Sequence, residues 1–337
     1  MNAHKELVRR LALKRRRSLG SMSDEAFKEL ELAVQADPAS FVDDNEEQAF
    51  LLVARALDAH ANSRKDDDLL DDEQYAKERE RRNKALVKAC QNALALDDGC
   101  VDAQTLQLLA SDIPQNALFE LLSDAHENLT KEQGEIAIPA AGDAWANVFA
   151  RPRLRLQAVL ARTCINTTRF RMAADYCADL MARAPLDALG SRYTCALAMA
   201  RLEDEEGFNW LDAREGRHGN AWFHLSRVLL LYKLGRVSAA RRALRGFDQL
   251  CTGGAYLLLQ PMYVDTYLPD RPPFEPGSFE ESMLCIYEAD PVVSDTPDFA
   301  AWASDQPGFL ASAQSFCSRN GFEWRDWNEG EHGPWYG

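Results

Sequence analysis

Apolar residues recur along this chain at intervals of three and four, the spacing that places them on one face of an α-helix. The pattern is clearest from Arg153 to Pro185. Leu156 and Leu160 stand one turn apart, and Ala161 and Cys164 complete an apolar stripe that must be buried against a neighbour. The polar run Asn166-Thr167-Thr168-Arg169 interrupts the stripe. A second stripe, Phe170, Ala173, Ala174, Cys177 and Leu180, begins at once and stops at Pro185, because proline cannot continue a helix interior. Small residues (Ala161, Ala173) opposite bulky ones (Leu160, Phe170) let two helices approach closely. The stretch therefore predicts a helical hairpin of about 34 residues.

The same spacing extends in both directions. Met1 to Gly20 predicts a short amphipathic helix on Leu7, Val8, Leu11 and Leu13. Ser23-Asp24-Glu25 is a helix start, and the helix it opens ends near Asp37-Pro38. Further helices are expected over about 45–61, 73–96, 101–109 and 116–129, with a solvated charged loop at Ser63 to Asp68. Residues 135–151, which include Pro139 and Gly142, read as an ordered crossing that must pack Trp145, Val148 and Phe149. A third unit spans Gly190 to Arg214. A fourth carries Trp222, Leu225, Leu229 and Leu230, the turn Leu234-Gly235-Arg236, and then Val237, Ala240, Leu244 and Phe247. Gly253-Gly254 breaks the series. Beyond it the chain is irregular and aromatic-rich, with one last helix expected over 298–316.

The pattern thus predicts an all-α fold: a helical-hairpin solenoid with an irregular, aromatic-rich C-terminal segment capping it. Four regions are expected: a basic arm (1–20), acidic N-terminal helices (21–72), helical repeats (73–252) and the capping segment (253–337). Charge follows that division. The net charge of −15 breaks down into +6 over 1–20, −17 over 21–150, +7 over 151–250 and −11 over 251–337, so the repeat core is basic within an acidic chain. No apolar run approaches the ~20 residues that cross a bilayer, and no apolar stretch follows the basic N-terminus, so a cytoplasmic protein is expected. The eight cysteines contain no pair separated by two residues, and they read as buried thiols behaving as small hydrophobes.

Five short phrases carry a resemblance. Ala-Leu-Ala-Leu-Asp-Asp-Gly-Cys-Val-Asp-Ala, from Ala93 to Ala103, resembles the join between successive tetratricopeptide units. Arg151-Pro152-x-x-Arg155, Gly190-Ser191-Arg192-Tyr193, Pro276-Gly277-Ser278-x-Glu280-Glu281 and Thr296-Pro297-x-x-x-x-Trp302 follow in that order. These last four resemble bacterial tetratricopeptide-like proteins related to the suppression-of-tumorigenicity-seven family, over about residues 73 to 310. The resemblance implies a helical-repeat fold and an interaction role, and it brings no catalytic residues. The chain departs from the usual pattern in three ways. Proline is missing at Asp97-Asp98, Thr167-Thr168 stands where Leu-Gly is usual, and the second helix of the third unit is short.

In a stack of hairpins the first helices line a concave face. Arg155, Arg162 and Asn166 share one face of the first such helix, Arg192 and Tyr193 fall on the next, and His224 and Arg227 on the one after. Arginine takes a carboxylate with its planar fork, and asparagine can hold a peptide backbone with donor and acceptor together. These seven residues are therefore expected to form a basic groove for a peptide or protein partner of acidic character. The acidic, aromatic tail, with Glu323, Asp326, Glu329 and Glu331 among its tryptophans, is an alternative occupant of that face. The competing function is a nucleic-acid or ribosome-associated accessory protein that uses the arm Arg9-Arg10 and Lys14 to Arg17, against which the adjoining charge of −17 weighs. No catalytic constellation, cofactor loop or metal-ligand spacing is present in the sequence. Asp66 to Glu73 lacks the spacing and the glycine of a calcium loop.

Overall fold

The computed structural model describes residues 3–138, 142–265 and 267–325. These fold into helices joined by short turns, without a strand among them. The helices are α1 (Ala3–Leu19), α2 (Asp24–Ala36), α3 (Asn45–Asn62), α4 (Asp72–Leu94), α5 (Val101–Ala110), α6 (Gln115–Gln133), α7 (Arg151–Asn166), α8 (Phe170–Arg183), α9 (Ser191–Leu202), α10 (Glu205–Arg214), α11 (Ala221–Lys233), α12 (Val237–Leu250), α13 (Gly254–Leu259), α14 (Phe279–Ser294), α15 (Phe299–Ser304) and α16 (Phe309–Asn320). The chain divides into two compact units. One comprises Met1–Val159, Arg183–Ala188 and Tyr267–Asp270; the other comprises Leu160–Ala182, Leu189–Thr266 and Arg271–Gly337.

In the first unit the helix starts follow from the sequence. Ser23 accepts the Ala26 N–H, Asp44 accepts the Glu47 N–H at 2.8 Å, and Asp71 and Gln74 exchange bonds in a capping box. Each side chain supplies an acceptor to amides that a helix leaves unpaired at its first turn. The basic N-terminal stretch is a helix of the core rather than a separate arm. Leu7, Val8, Leu11 and Ala12 of α1 are buried with Phe27 and Val34 of α2, Phe50 and Val53 of α3, and Leu86 and Cys90 of α4. Its cations lie against the unit's own acids: Arg9 with Glu31, Lys14 with Glu46, Arg15 with Asp43. The charged loop after α3 is also tied down. Arg82 of α4 is buried and donates to the Ser63 carbonyl and to Asp67.

In the second unit one turn geometry closes α7, α9 and α11, and it also closes α10 at Gly216 and Arg217. After α7, the Arg169 N–H bonds the Cys164 carbonyl and the Thr168 N–H bonds that of Ile165; after α9 the pairs are Asp204 to Met199 and Glu203 to Ala200; after α11 they are Arg236 to Leu231 and Gly235 to Tyr232. This nested pair of bonds satisfies the last carbonyls of a helix and needs a left-handed residue just past its end. Thr168 (φ 60°), Glu203 (φ 61°) and Gly235 (φ 69°) hold that position, 35 and then 32 residues apart. In each case the next helix starts two residues later. Of the turns after α7, α9 and α11, only the last carries glycine, so the sequence shows their common geometry openly only once. α9 packs on α10 and on α11, and α11 packs on α12.

The C-terminal segment is more regular than its composition suggests. α13 and α14 were not expected from the sequence, and the single helix expected over 298–316 is two, α15 and α16, separated at Pro307-Gly308. Tyr256 of α13 stacks on Phe322 (5.3 Å between ring centres), and Phe279 of α14 stacks on Phe316 of α16 (5.5 Å). Gly253 is required where α13 approaches them. Its φ is +71°, and an added Cβ would stand 2.7 Å from the Phe279 ring.

Candidate functional site

The structure does not bring the seven expected groove residues together as free surface. Arg155 is 1% exposed. Its Nε and Nη2 donate to Asp102 at 2.9 Å each, while Nη1 and Nη2 donate to Glu6 at 3.0 and 2.9 Å. Arg10 joins the same two carboxylates at 2.6 and 3.0 Å, with its guanidinium 3.5 Å from the centre of the Phe50 ring. Arg155 is thus the centre of a buried ion network of the first unit, not a partner-binding residue. Burial favours the protonated form of Glu6. The hydrogen bond and charge of Arg155, with the charges of Arg10 and Arg151, outweigh it and pull the carboxyl down to about 2.

The other six lie in the second unit. Arg162 is half-buried and Asn166 exposed on α7. Arg192 pairs with Glu215 at 3.2 Å and lies 4.5 Å above the Tyr193 ring. Tyr193 stacks on the fully buried Trp222 with 4.4 Å between ring centres, so it is part of the packing. A second buried network anchors that packing. Arg271 donates to Glu288 (2.7 Å), Thr194 (2.6 Å) and the carbonyls of Leu189 and Gly190 (2.6 and 2.7 Å), while the Trp222 indole donates to the other Glu288 oxygen at 2.9 Å.

His224 and Arg227 line a cavity. An open cleft of about 620 Å³ lies between α10 and α11, lined by Asn209, Asp212, Arg217, Gly219, Phe223, His224 and Arg227. Its shape follows from the loop sequence Glu-Gly-Arg-His-Gly-Asn, residues 215–220. Gly216 (φ 70°) closes α10 with its N–H on the Ala213 carbonyl, and Arg217 (φ 56°) donates its own N–H to Asp212 O at 3.0 Å. Gly219 is also left-handed, and a Cβ there would lie 2.5 Å from His224 Nε2, so only glycine lets the loop lie on the imidazole. Asn220 then caps α11, accepting the Phe223 N–H at 3.1 Å.

Within the cleft Arg227 is neutralised by Asp212 at 2.7 Å. Burial, and then the charge of Arg227, push the His224 imidazole below its ordinary pKa against the opposing pull of Asp212, so near neutral pH it offers one donor and one acceptor. Arg217 is exposed and its guanidinium forms no ion pair among the described residues. Beside the cleft Trp210 is 59% exposed, an unusual position for that side chain, with the Arg214 guanidinium 5.7 Å from its ring centre. Arg217, Asp212 and Asn209 were not anticipated from the sequence. The signal that marks them is a glycine on either side of Arg217-His218, between two helical stripes.

No protein-family model, curated protein or solved structure matches this chain. The phrases that carry the family resemblance have structural work to do. Arg151 and Arg155 belong to the buried network, and Gly190 and Tyr193 to the packing around Arg271. Ser278 and Glu281 cap α14, and Trp302 packs 4.8 Å from Tyr232. No group of three His, Cys, Asp or Glu is placed to hold a metal ion among the described residues, and no helix there is long and apolar enough to cross a membrane. Of the acidic tail, Glu323 is described, while Asp326, Glu329 and Glu331 lie outside the described residues.

Proposed function

We propose that this chain is a non-enzymatic helical-repeat protein, of tetratricopeptide-like design, whose second unit receives a peptide segment of a protein partner at the α10–α11 cleft. The cleft itself carries the reading: an open cavity of about 620 Å³ that joins a free cation, a primary amide, a neutral imidazole and the Phe223 ring. Binding sites of this size combine apolar walls with a few convergent polar groups. The regular spacing of the turn after α7, α9 and α11 supports the repeat design, since stacked hairpins are built for interaction surfaces rather than for chemistry. The exposed Trp210, with Arg214, has the composition of residues that dominate binding energy in protein interfaces. A nucleic-acid role for the N-terminal helix is disfavoured by the pairing of Arg9, Lys14 and Arg15 with the unit's own acids.

Affinity capture from cell extract tests the reading, with the intact protein beside an Asn209→Trp, Arg217→Glu variant and an Arg242→Glu, Arg245→Glu variant. Both alter exposed side chains, the first in the cleft and the second on the outer face of α12. A protein captured by the intact chain and the α12 variant, but lost with the cleft variant, is the expected result. Capture indifferent to the cleft substitutions overturns it.

A further inference from the structure

The loop of residues 215–220 is fastened at both ends and rests on an imidazole between them. Glu215 pairs with Arg192 of α9 at 3.2 Å. The Gly216 and Arg217 N–H groups bond the Ala213 and Asp212 carbonyls at 3.1 and 3.0 Å, and Asn220 accepts the Phe223 N–H at 3.1 Å. Between these anchors the loop meets the His224 ring at Gly219, so closely that a Cβ there would stand 2.5 Å from Nε2. The α-carbon of a glycine offers a protonated nitrogen no acceptor. The contact therefore suits the neutral ring, and a charged ring held there would give up hydration without a hydrogen bond in return.

The surrounding charges compensate a proton poorly. Arg227 lies one turn along the same helix, and the Asp212 carboxylate of α10 is already held by Arg227 at 2.7 Å. The loop contributes Arg217, His218 and Glu215, the last engaged by Arg192. From α14 the Glu281 carboxylate accepts the N–H of Ala221, at the start of α11. Burial and then Arg227 hold the His224 pKa below its ordinary 6.5, against the pull of Asp212. By linkage the proton binds better to an arrangement in which the ring is hydrated, so it favours the loop lifted off the ring. We infer that His224 is a proton-operated latch: neutral, it seats loop 215–220 through Gly219 as one wall of the α10–α11 cleft, and protonated beside Arg227 it releases that wall in mildly acidic solution. The latch goes beyond the binding role proposed above and acts whatever the cleft receives.

Hydrogen exchange of the full chain tests the latch through the Gly216 and Arg217 amides, read as protection factors corrected for the intrinsic pH dependence of exchange. The turn after α11 is the internal reference, because the Gly235 and Arg236 amides make the same pair of bonds in a turn without histidine. Between about pH 7.5 and about pH 5.5 the loop amides should lose protection about three- to tenfold relative to that reference. The upper figure is the limit for a group of ordinary pKa 6.5 that takes up no proton while the loop is closed. His224→Gln keeps a donor and an acceptor but does not titrate, and should flatten the response. His218→Gln and Glu281→Gln should leave it in place. Gly219→Ala, whose Cβ has no room over the ring, should expose the loop amides already near neutral pH with the reference turn still protected. Equal relative protection at both pH values, a response that survives His224→Gln, one that disappears with His218→Gln or Glu281→Gln, or full protection in Gly219→Ala each overturns the inference. Exchange reads the loop and capture reads the partner, so the latch and the binding role fail separately.

Discussion

Arg155 shows how a residue can be read correctly for its chemistry and wrongly for its place. Its fork does grip carboxylates, and they are the chain's own, 53 and 149 residues away in sequence. Three arginines surround two buried acids, so every oxygen of Glu6 and Asp102 meets a donor. A buried carboxylate stripped of its partner keeps its desolvation cost and loses the compensating charge. Arg155→Ala should therefore lower stability by about 3–5 kcal/mol, measured by urea denaturation, with Arg155→Lys recovering only part of it because one ammonium cannot serve two carboxylates in a plane. A loss below about 1 kcal/mol would show the network to be incidental. No local signal separates this arginine from Arg162, seven residues on along the same helix. The difference is set by Glu6 and Asp102, whose proximity no pattern of spacing reports.

At the scale of elements the turns are the instructive part. The helices of the second unit were legible because each buries a stripe at helical spacing: Phe170, Ala173, Cys177 and Leu180 on α8, or Ala240, Leu244 and Phe247 on α12. The common turn was not, because after α7 and α9 its left-handed position holds Thr168 and Glu203, which depart from a glycine rule. Those side chains sit in a strained region at a cost of roughly 1–2 kcal/mol, partly offset by the smaller chain entropy they lose on folding. Thr168→Gly should thus stabilise the protein by about 0.5–1 kcal/mol and Gly235→Thr destabilise it by a similar amount, since space at Gly235 is open and only the backbone angle is at stake. Thermal or urea unfolding of the two variants checks both signs, and a destabilising Thr168→Gly would mean that the threonine side chain contributes more than its strain costs. α14 escaped the sequence reading for a different reason. Pro291 lies in its last turns and Pro276-Gly277 just before it, so punctuation masked a stripe of Leu284, Cys285, Ile286 and Ala289 that is buried on almost every side.

For the whole molecule, Glu6 and His224 make stability depend on pH in separate windows. The Glu6 carboxyl is held at about 2 in the folded chain against 4.5 unfolded, so its contribution, about 3 kcal/mol, is complete above pH 4.5 and is lost as pH falls towards 2. His224 has its pKa lowered in the fold. The unfolded chain therefore takes up that proton first, and stability declines as pH falls below about 6.5 until the folded imidazole also titrates. Glu281 works in the opposite sense, its pKa raised by burial, so the windows are best isolated by difference. The stability gap between the intact chain and Glu6→Gln should close between pH 4.5 and 2, while that between the intact chain and His224→Gln should change only below about 6.5. Gaps independent of pH would show that these carboxyl and imidazole groups are not held as described.

Periodicity by itself determined that this chain is helical, roughly where most of its longer helices before α13 lie and that a hairpin starts at Arg153, because a helix that buries one face must repeat its apolar residues every three or four positions whatever it packs against. Composition by itself determined where charge concentrates. Which charges face one another was decided only by the tertiary structure. It turned the basic N-terminal helix inward onto the unit's own acids, enclosed Arg155 between Glu6 and Asp102, and left Arg217 open at a cleft that glycines on either side allow to form. The physical reason is the range of the interactions. Helix formation is read from neighbours a few residues apart, whereas ion pairing and cleft formation depend on residues that only the folded chain brings within a few ångströms.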